Sequence, residues 1–342
     1  MHLFEPLTVK NMILRNRIVM PPMCMYSAGT DGIPTDFHFT HYTSRAVGQV
    51  GLIIMEATGV LPCGRISDHC LGLWNDAQAR ALTPIVSACQ KQGAKIAVQL
   101  NHAGRKCEAS EETIYAPSAI AFNQDSPMPH EMTKEDIHDV IDAFQSAARR
   151  AAEIGFDAIE IHGAHGYLIS EFLSPLTNQR TDGYGGSTEN RCRMLIEVLQ
   201  AVHQAWPHEK PVLLRISAED YEPGGMHPEE MAKVIELVKP YIDVLDVSTG
   251  GVAETPPPKI YPGYQVKIAE DLRQASGLPT VTVGLITDPH QAEAILGGER
   301  ADLVALGREL LRDPYWVLHT ARELDVEYPW PKQYLRGFSA RK

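Results

Sequence analysis

The chain has 342 residues, 44% of them hydrophobic and 22% charged, and a formal net charge of -12. That length holds two average domains or one large α/β barrel, with composition typical of a globular protein. The acidic balance excludes a phosphate-backbone partner, and no polybasic run offers a hold on an anionic membrane surface.

The N-terminal Met1-His2-Leu3-Phe4-Glu5-Pro6 has no basic segment followed by an apolar one, and no apolar stretch is long enough to span a bilayer. A cytoplasmic protein is expected. The six cysteines (Cys24, Cys63, Cys70, Cys89, Cys107 and Cys192) form no C-x-x-C pair. They read as reduced thiols rather than a disulfide frame or a zinc site.

Short apolar runs alternate with longer amphipathic stretches. Predicted strands fall at 17–20, 52–56, 96–100, 158–162, 212–217, 244–248, 280–284 and 303–307. Each is rich in Val, Ile or Leu and is followed by Gly, Pro, Ser or polar residues. Such continuous runs suit a parallel sheet buried on both faces. Helical patterns lie between them at 133–152, opened by Thr133 and closed by Gly155, at 228–238 and at 289–296. Eightfold strand–helix alternation predicts a single-domain (β/α)8 TIM barrel over residues 1–342, with a doubly wound open sheet as the competing arrangement. Two intervals, 103–132 and 173–188, exceed simple connectors. They either shape an active site or are surface excursions.

Polar or small residues stand at or near nearly every strand end: Cys24, Ala57, Gln99, His162 and His165, Arg215, Gly284, Gly307 and Arg308. Barrel enzymes assemble their sites there. Gly284, Gly307 and Arg308 form a predicted phosphate seat after strands seven and eight, though glycines also serve plain turns. No G-x-G-x-x-G opens a helix, which argues against a Rossmann site. Arg215 within a strand is costly without an anionic partner, so a ligand role is expected. His162 and His165 are spaced to share a metal, but no third ligand lies at suitable local spacing, and no metal is expected.

Several segments taken together resemble the old yellow enzyme family of FMN oxidoreductases, in its bacterial NADPH dehydrogenase branch. They are Asn16-Arg17-Ile18-Val19-Met20-Pro21-Pro22-Met23-Cys24-Met25-Tyr26, Gln99-Leu100-Asn101-His102-Ala103-Gly104-Arg105-Lys106, Glu160-Ile161-His162-Gly163-Ala164-His165-Gly166-Tyr167, Arg180-Thr181-Asp182 and Gly307-Arg308-Glu309-Leu310-Leu311. The resemblance spans essentially the whole chain. One departure is Gly163, where the family carries alanine; a slightly looser turn between the histidines is expected.

The resemblance implies bound FMN, NADPH as electron donor, and ping-pong hydride transfer through flavin N5 to the activated C=C bond of an α,β-unsaturated carbonyl or nitro compound. It places Pro21, Pro22, Met23, Cys24 and Ala57 along the cofactor, Gln99 and Arg215 at the pyrimidine edge, and Gly284, Gly307 and Arg308 at the phosphate. It makes His162 and His165 the donors to the substrate oxygen, Tyr167 the proton donor, and Tyr26 and Lys106 substrate contacts. It also implies a homodimer or homotetramer in which Arg336, on a tail of about residues 330–342, reaches a neighbouring subunit. Three other readings stay open: a 2,4-dienoyl-CoA reductase-type barrel, a flavin-free lyase or isomerase acting on a sugar phosphate, and a catalytically silent flavin sensor.

Overall fold

The computed structural model describes residues 1–110 and 112–338. An antiparallel hairpin, β1 (Leu7–Val9) and β2 (Met12–Leu14), comes first. Barrel strands follow as β3 (Ile18–Met20), β4 (Leu52–Gly59) and β5 (Lys95–Asn101). A short pair, β6 (Tyr115–Ala116) and β7 (His130–Glu131), belongs to the first long excursion. The barrel resumes with β8 (Ala158–Gly163), β9 (Val212–Ser217), β10 (Val244–Ser248), β11 (Thr280–Thr282) and β12 (Leu303–Ala305).

The helices are α1 (Asp36–Val47), α2 (Asp76–Lys91), α3 (Lys134–Ile154), α4 (Leu168–Leu173), α5 (Thr188–Ala205) and α6 (Pro228–Val238). After them come α7 (Val266–Ser276), α8 (Pro289–Gly297), α9 (Gly307–Arg312) and α10 (Trp316–Glu323). No described helix is long and apolar enough to cross a membrane.

The eight parallel strands close into a ring, so the structure is a TIM barrel and not an open sheet. All eight predicted strands are present, but the last two end earlier than expected. Gly284 leaves the extended region at φ +127, and Gly307 opens α9, so both sit in turns beyond their ladders.

Side chains alternate across a strand, and this orders the interior. Outward positions such as Ile53, Ile96, Ile159, Leu214 and Leu245 join the core under the helices. The inward positions Leu52, Ile54, Ala97, Ala158, Leu213, Val244 and Val281 form a separate cluster with Val9, Met12 and Leu14 of the hairpin. The hairpin therefore plugs the N-terminal end of the barrel. Two residues further along the same inward faces stand Gln99, Glu160, Arg215 and Asp246, and two further on His162, Ser217 and Ser248. The strands are not uniformly apolar, as their runs suggested. Their outward faces are largely apolar, with Thr280 and Thr282 of β11 among the exceptions, while the inward faces of β5, β8, β9 and β10 turn polar toward the C-terminal mouth.

A bulge in β4 between Met55 and Ala57 drops Glu56 out of register and sets Ala57 opposite Gln99. The two long excursions brace each other. Arg180 Nη1 donates to Pro117 O and Met132 O at 2.9 and 2.6 Å, and its Nη2 pairs with Asp182 at 2.7 Å.

Helix α3 begins where the sequence pattern placed it. Thr133 Oγ1 accepts from Asp136 N–H at 3.1 Å, Asp136 returns a bond to Thr133 N–H at 2.8 Å, and Gly155 at φ +96 ends the helix. Thr133→Ala is expected to cost about 1 kcal/mol by stranding a first-turn N–H. The check is the denaturation midpoint, which should fall; an unchanged midpoint counts against the cap.

Candidate active site

Neighbouring strands assemble an ionisable layer at the barrel mouth. Backbone register sets Gln99 beside Glu160, His162 beside Arg215, and Arg215 beside Asp246. Gln99 Nε2 donates to Glu160 Oε1 at 2.9 Å, which leaves the amide oxygen without a donor among the described residues. Arg215 Nε lies 3.3 Å from Asp246 Oδ2, with both side chains buried. The expectation that Arg215 lacks a protein anion is thus corrected: Asp246 sits on the adjacent strand.

Burial raises both carboxyl groups. Glu160 rises furthest because Asp246 repels its charge, while Arg215 opposes the rise in each. The terminal nitrogens of Arg215 make no hydrogen bond among the described residues, and the side chain lines a cleft of about 310 Å³.

The two histidines follow from β8. Burial, reinforced by neighbouring positive groups including Arg215 and Lys106, pushes both rings well below the usual imidazole range, so they are neutral at physiological pH. His162 Nδ1 accepts from Ala164 N–H at 3.3 Å, which puts the ring proton on Nε2. His165 differs. It takes a left-handed backbone at φ +62, its N–H donates to Ser217 Oγ at 2.8 Å, and its Nε2 lies 2.8 Å from Ser248 Oγ. His162 is a preset donor, whereas His165 Nε2 is engaged. Gly163 lies within β8, paired with Ile216, and not in the turn expected for it. A Cβ there would stand 3.0 Å from Arg215 O.

The His162 ring makes edge contacts with His165 and Tyr167 at centroid separations of 5.1 and 5.0 Å. Burial lifts the Tyr167 hydroxyl well above the usual phenol range, so it stays protonated. Tyr167 lines a second cleft, of about 240 Å³, with Tyr26, Lys106, Arg105 and Phe122. Lys106 is half-buried: its Nζ donates to His165 O and Gly251 O at 3.0 and 3.1 Å, and sits over the Phe122 and Tyr167 rings. Tyr26 is held at φ +49 and is half exposed. Gly166 has φ +71, and a Cβ on it would fall 2.2 Å from Gly251 O, so only glycine permits this approach of the two mouth loops.

Cys24 follows β3, its neighbour Met25 donating from N–H to Glu56 Oε2 at 3.0 Å. Glu56 also accepts from Tyr42 OH at 2.9 Å, and burial pushes its carboxyl up to about 7. Pro21 and Met23 lie closest to where a Cβ on Gly307 would project, which joins this segment to the start of α9. Gly284, Gly307, Arg308 and Arg312 line the same cleft as Arg215. Arg336 stands apart. It is exposed on a short 3-10 helix, Lys332–Phe338, that touches Tyr315 through Tyr334. Residues 339–342 of the expected tail lie outside the described residues.

Glu160 and Asp246 as a charge pair, Ser248 and Glu171 were not singled out from sequence. The available signal was a polar residue at every second position of β8, β9 and β10. A cavity of about 480 Å³ along α3, larger than either site cleft, contains none of these residues.

A closed barrel whose mouth holds a guanidinium, neutral histidines and a glycine-lined cleft suits an anionic ligand, and comparison with known proteins says which class of protein carries it. Residues 2–327 match the NADH:flavin oxidoreductase / NADH oxidase family. The chain is 56% identical over 340 residues to an NADPH dehydrogenase of Clostridium acetobutylicum, covering 99% of this chain and 100% of that one. It is 54% identical over 340 residues to an NADPH dehydrogenase of Geobacillus thermodenitrificans, covering 98% of each. Morphinone reductase in complex with tetrahydroNAD superimposes with a TM-score of 0.80 at 28% identity, covering 97% of this chain and 93% of that one. A 2-naphthoyl-CoA reductase complex superimposes with a TM-score of 0.89 at 25% identity, covering 94% of this chain but only 52% of that protein.

The chain belongs to the NADH:flavin oxidoreductase / NADH oxidase family and is an old yellow enzyme-type oxidoreductase. Its cofactor is FMN, and the residues present fit it. The unpaired amide oxygen of Gln99 and the open guanidinium of Arg215 suit a pyrimidine edge, and glycine turns with two arginines suit a phosphate.

Glu171 supports the site from α4. It is fully buried, accepts from Arg105 N–H at 2.8 Å, and burial pushes it up to about 8. Its folded value exceeds the ordinary 4.5, so its contribution to stability is full below about 4.5 and is lost as pH rises through about 8. Glu171→Gln should therefore gain stability relative to the parent as pH rises across that window. Thermal midpoints of both proteins at each end check this; a pH-independent difference contradicts it.

Proposed function

We propose that the chain is an ene-reductase, reducing the activated C=C bond of α,β-unsaturated carbonyl or nitro compounds with electrons from NADPH, in two half-reactions at one site. The observation that carries this reading is the contact between a neutral His162 with its proton on Nε2 and a protonated Tyr167 that lines the Lys106 cleft, while His165, in ring contact with His162, lines the Arg215 cleft. It pairs a donor for a developing oxyanion with a proton source for carbon.

Bound FMN supplies the hydride relay between NADPH and the alkene. Gln99 and Arg215 hold its pyrimidine edge, with Pro21, Pro22, Met23, Cys24 and Ala57 along the ring system and Gly284, Gly307 and Arg308 at the phosphate. His162 Nε2–H donates to the carbonyl or nitro oxygen, where negative charge grows as hydride arrives. His165 joins it when its ring leaves Ser248. Tyr167 then gives its proton to the α-carbon, and its raised pKa keeps the proton in place until that carbon becomes basic. Tyr26 adds a hydroxyl near the substrate oxygen. Lys106 ties the β8 and β10 loops together by its two carbonyl bonds and places its charge against the Tyr167 ring.

Arg336 acts in trans across a homodimer or homotetramer, a role supported by its distance in sequence from the rest of the site and by the exposed Tyr334 and Leu335 beside it. The acidic chain with six free thiols suits the cytoplasm.

Anaerobic reduction by NADPH followed by mixing with enones or nitroalkenes tests the reading, since the alkene should re-oxidise the flavin. Tyr167→Phe should slow re-oxidation about 10²–10⁴-fold and spare reduction by NADPH; equal losses in both halves would remove the tyrosine from this role. Neutral histidines also predict no inflection near 6.5 in the re-oxidation rate. Removing residues 333–342 should raise KM for substrate or NADPH, and unchanged kinetics would sink the trans arginine.

A further inference from the structure

The segment that leads from β3 toward α1 carries Cys24 and Tyr26, yet little of its backbone is tied down. Pro21 and Pro22 have no N–H. Of the N–H groups from Met23 to Ser27, only that of Met25 is hydrogen-bonded among the described residues, and its acceptor is Glu56 Oε2 at 3.0 Å. Tyr26, the next residue, takes a left-handed backbone at φ +49, which a residue other than glycine keeps only where its surroundings impose it.

Glu56, fully buried at the bulge of β4, is itself fixed from α1. Tyr42 OH donates to Glu56 Oε1 at 2.9 Å and accepts from Glu56 N–H at 3.0 Å, so one hydroxyl holds both the side chain and the backbone of this residue. His38, one turn before Tyr42 on the same face of α1, presents Nε2 3.5 Å from Oε1. Its Nδ1 accepts from Thr35 N–H at 3.0 Å, which puts the ring proton on Nε2. Thr35 Oγ1 donates to Ser27 O at 3.1 Å, and Ser27 Oγ donates to Met25 O at 2.9 Å. The contacts thus run from α1 through Glu56 to Met25 and back through Ser27.

We propose that Glu56, oriented by Tyr42, is a positioning residue: through the Met25 N–H it sets where the Cys24 thiol and the Tyr26 hydroxyl stand.

Glu56 lines neither the Arg215 cleft nor the Lys106 cleft, so it acts through the residues it holds. A buried carboxyl group is costly in a barrel wall, and an apolar side chain would fill the same space. What a carboxylate adds is an acceptor on each oxygen, one for Met25 N–H and one for Tyr42 OH. A glutamine offers one acceptor and one donor, and keeps the Met25 bond by reversing the bond to Tyr42. Leucine keeps neither. The effect on the reaction rests on the reading that Cys24 lies beside the flavin and Tyr26 near the substrate oxygen.

The test compares flavin-loaded Glu56→Leu, Glu56→Gln and Tyr42→Phe with the parent, beside Cys24→Ala and Tyr26→Phe. Three quantities are read: hydrogen exchange at the Met25 amide, the midpoint potential of the flavin, and KM for cyclohexenone. Glu56→Leu should speed exchange at Met25 about tenfold, shift the potential in the direction that Cys24→Ala shifts it, and raise KM severalfold as Tyr26→Phe does. Glu56→Gln should stay close to the parent in all three. Tyr42→Phe should move each quantity the same way by less, and it carries the test if Glu56→Leu does not load flavin; an unchanged Tyr42→Phe overturns the proposal. With Cys24→Ala already present, Glu56→Leu should add no further shift of potential, because both changes act through one thiol. Shifts that add instead leave Glu56 a structural residue and overturn the positioning role. Unchanged exchange at Met25 in Glu56→Leu overturns the anchor and leaves the reading of Cys24 and Tyr26 intact. Faster exchange with Cys24→Ala and Tyr26→Phe both silent overturns that reading, and the proposal with it.

Discussion

A buried guanidinium is tolerated in a barrel only when something beside it carries the opposite charge, and here that is Asp246, one strand from Arg215. The register of β9 and β10 sets the pair, and burial together with the Asp246 charge pushes the Glu160 carboxyl well above its usual range. The terminal nitrogens of Arg215 are left facing the cleft. The same fixed positive charge helps hold His162 and His165 neutral. A neutral imidazole with Nδ1 occupied is a donor through Nε2, which is what a developing oxyanion requires.

The rest of the fold keeps that cluster dry and in place. Below it, the inward apolar positions and the N-terminal hairpin close the barrel. Above it, the β8 and β10 loops meet where Gly166 approaches Gly251, and Lys106 bonds carbonyls of both. Arg180 locks the two long excursions against each other. The Lys106 and Arg180 bonds are polar contacts to backbone carbonyls, whereas the approach of Gly166 to Gly251 admits no side chain.

Much of this was legible in the sequence. Eight short apolar runs with helices between them point to parallel strands buried on both faces, which a barrel and a doubly wound sheet both provide, and only the closed ring decides between them. The ends of α3 were readable from Thr133 and Gly155, whose roles are local. Gly284, Gly307 and Arg308 were expected from sequence to stand together, and the cleft brings them together with Arg215. What stayed hidden depends on register. The Arg215–Asp246 pair spans 31 residues of sequence and exists only because their strands are neighbours and in step. Ala57 reaches its place through a bulge, and the engagement of His165 by Ser248 crosses two strands. Among the described residues, Arg336 has no hydrogen bond or ion pair to its own chain's site, and nothing local in its sequence reveals a destination.

The dependence on Arg215 is open to one direct measurement: the midpoint potential of bound flavin in the parent enzyme and in Arg215→Gln, by dye-equilibrated anaerobic reduction at neutral pH. A guanidinium at the pyrimidine edge stabilises the reduced, anionic cofactor. Flavin-loaded Arg215→Gln should therefore be harder to reduce, with a lower potential than the parent. An unchanged potential in flavin-loaded protein would place Arg215 away from the cofactor and contradict the site described above.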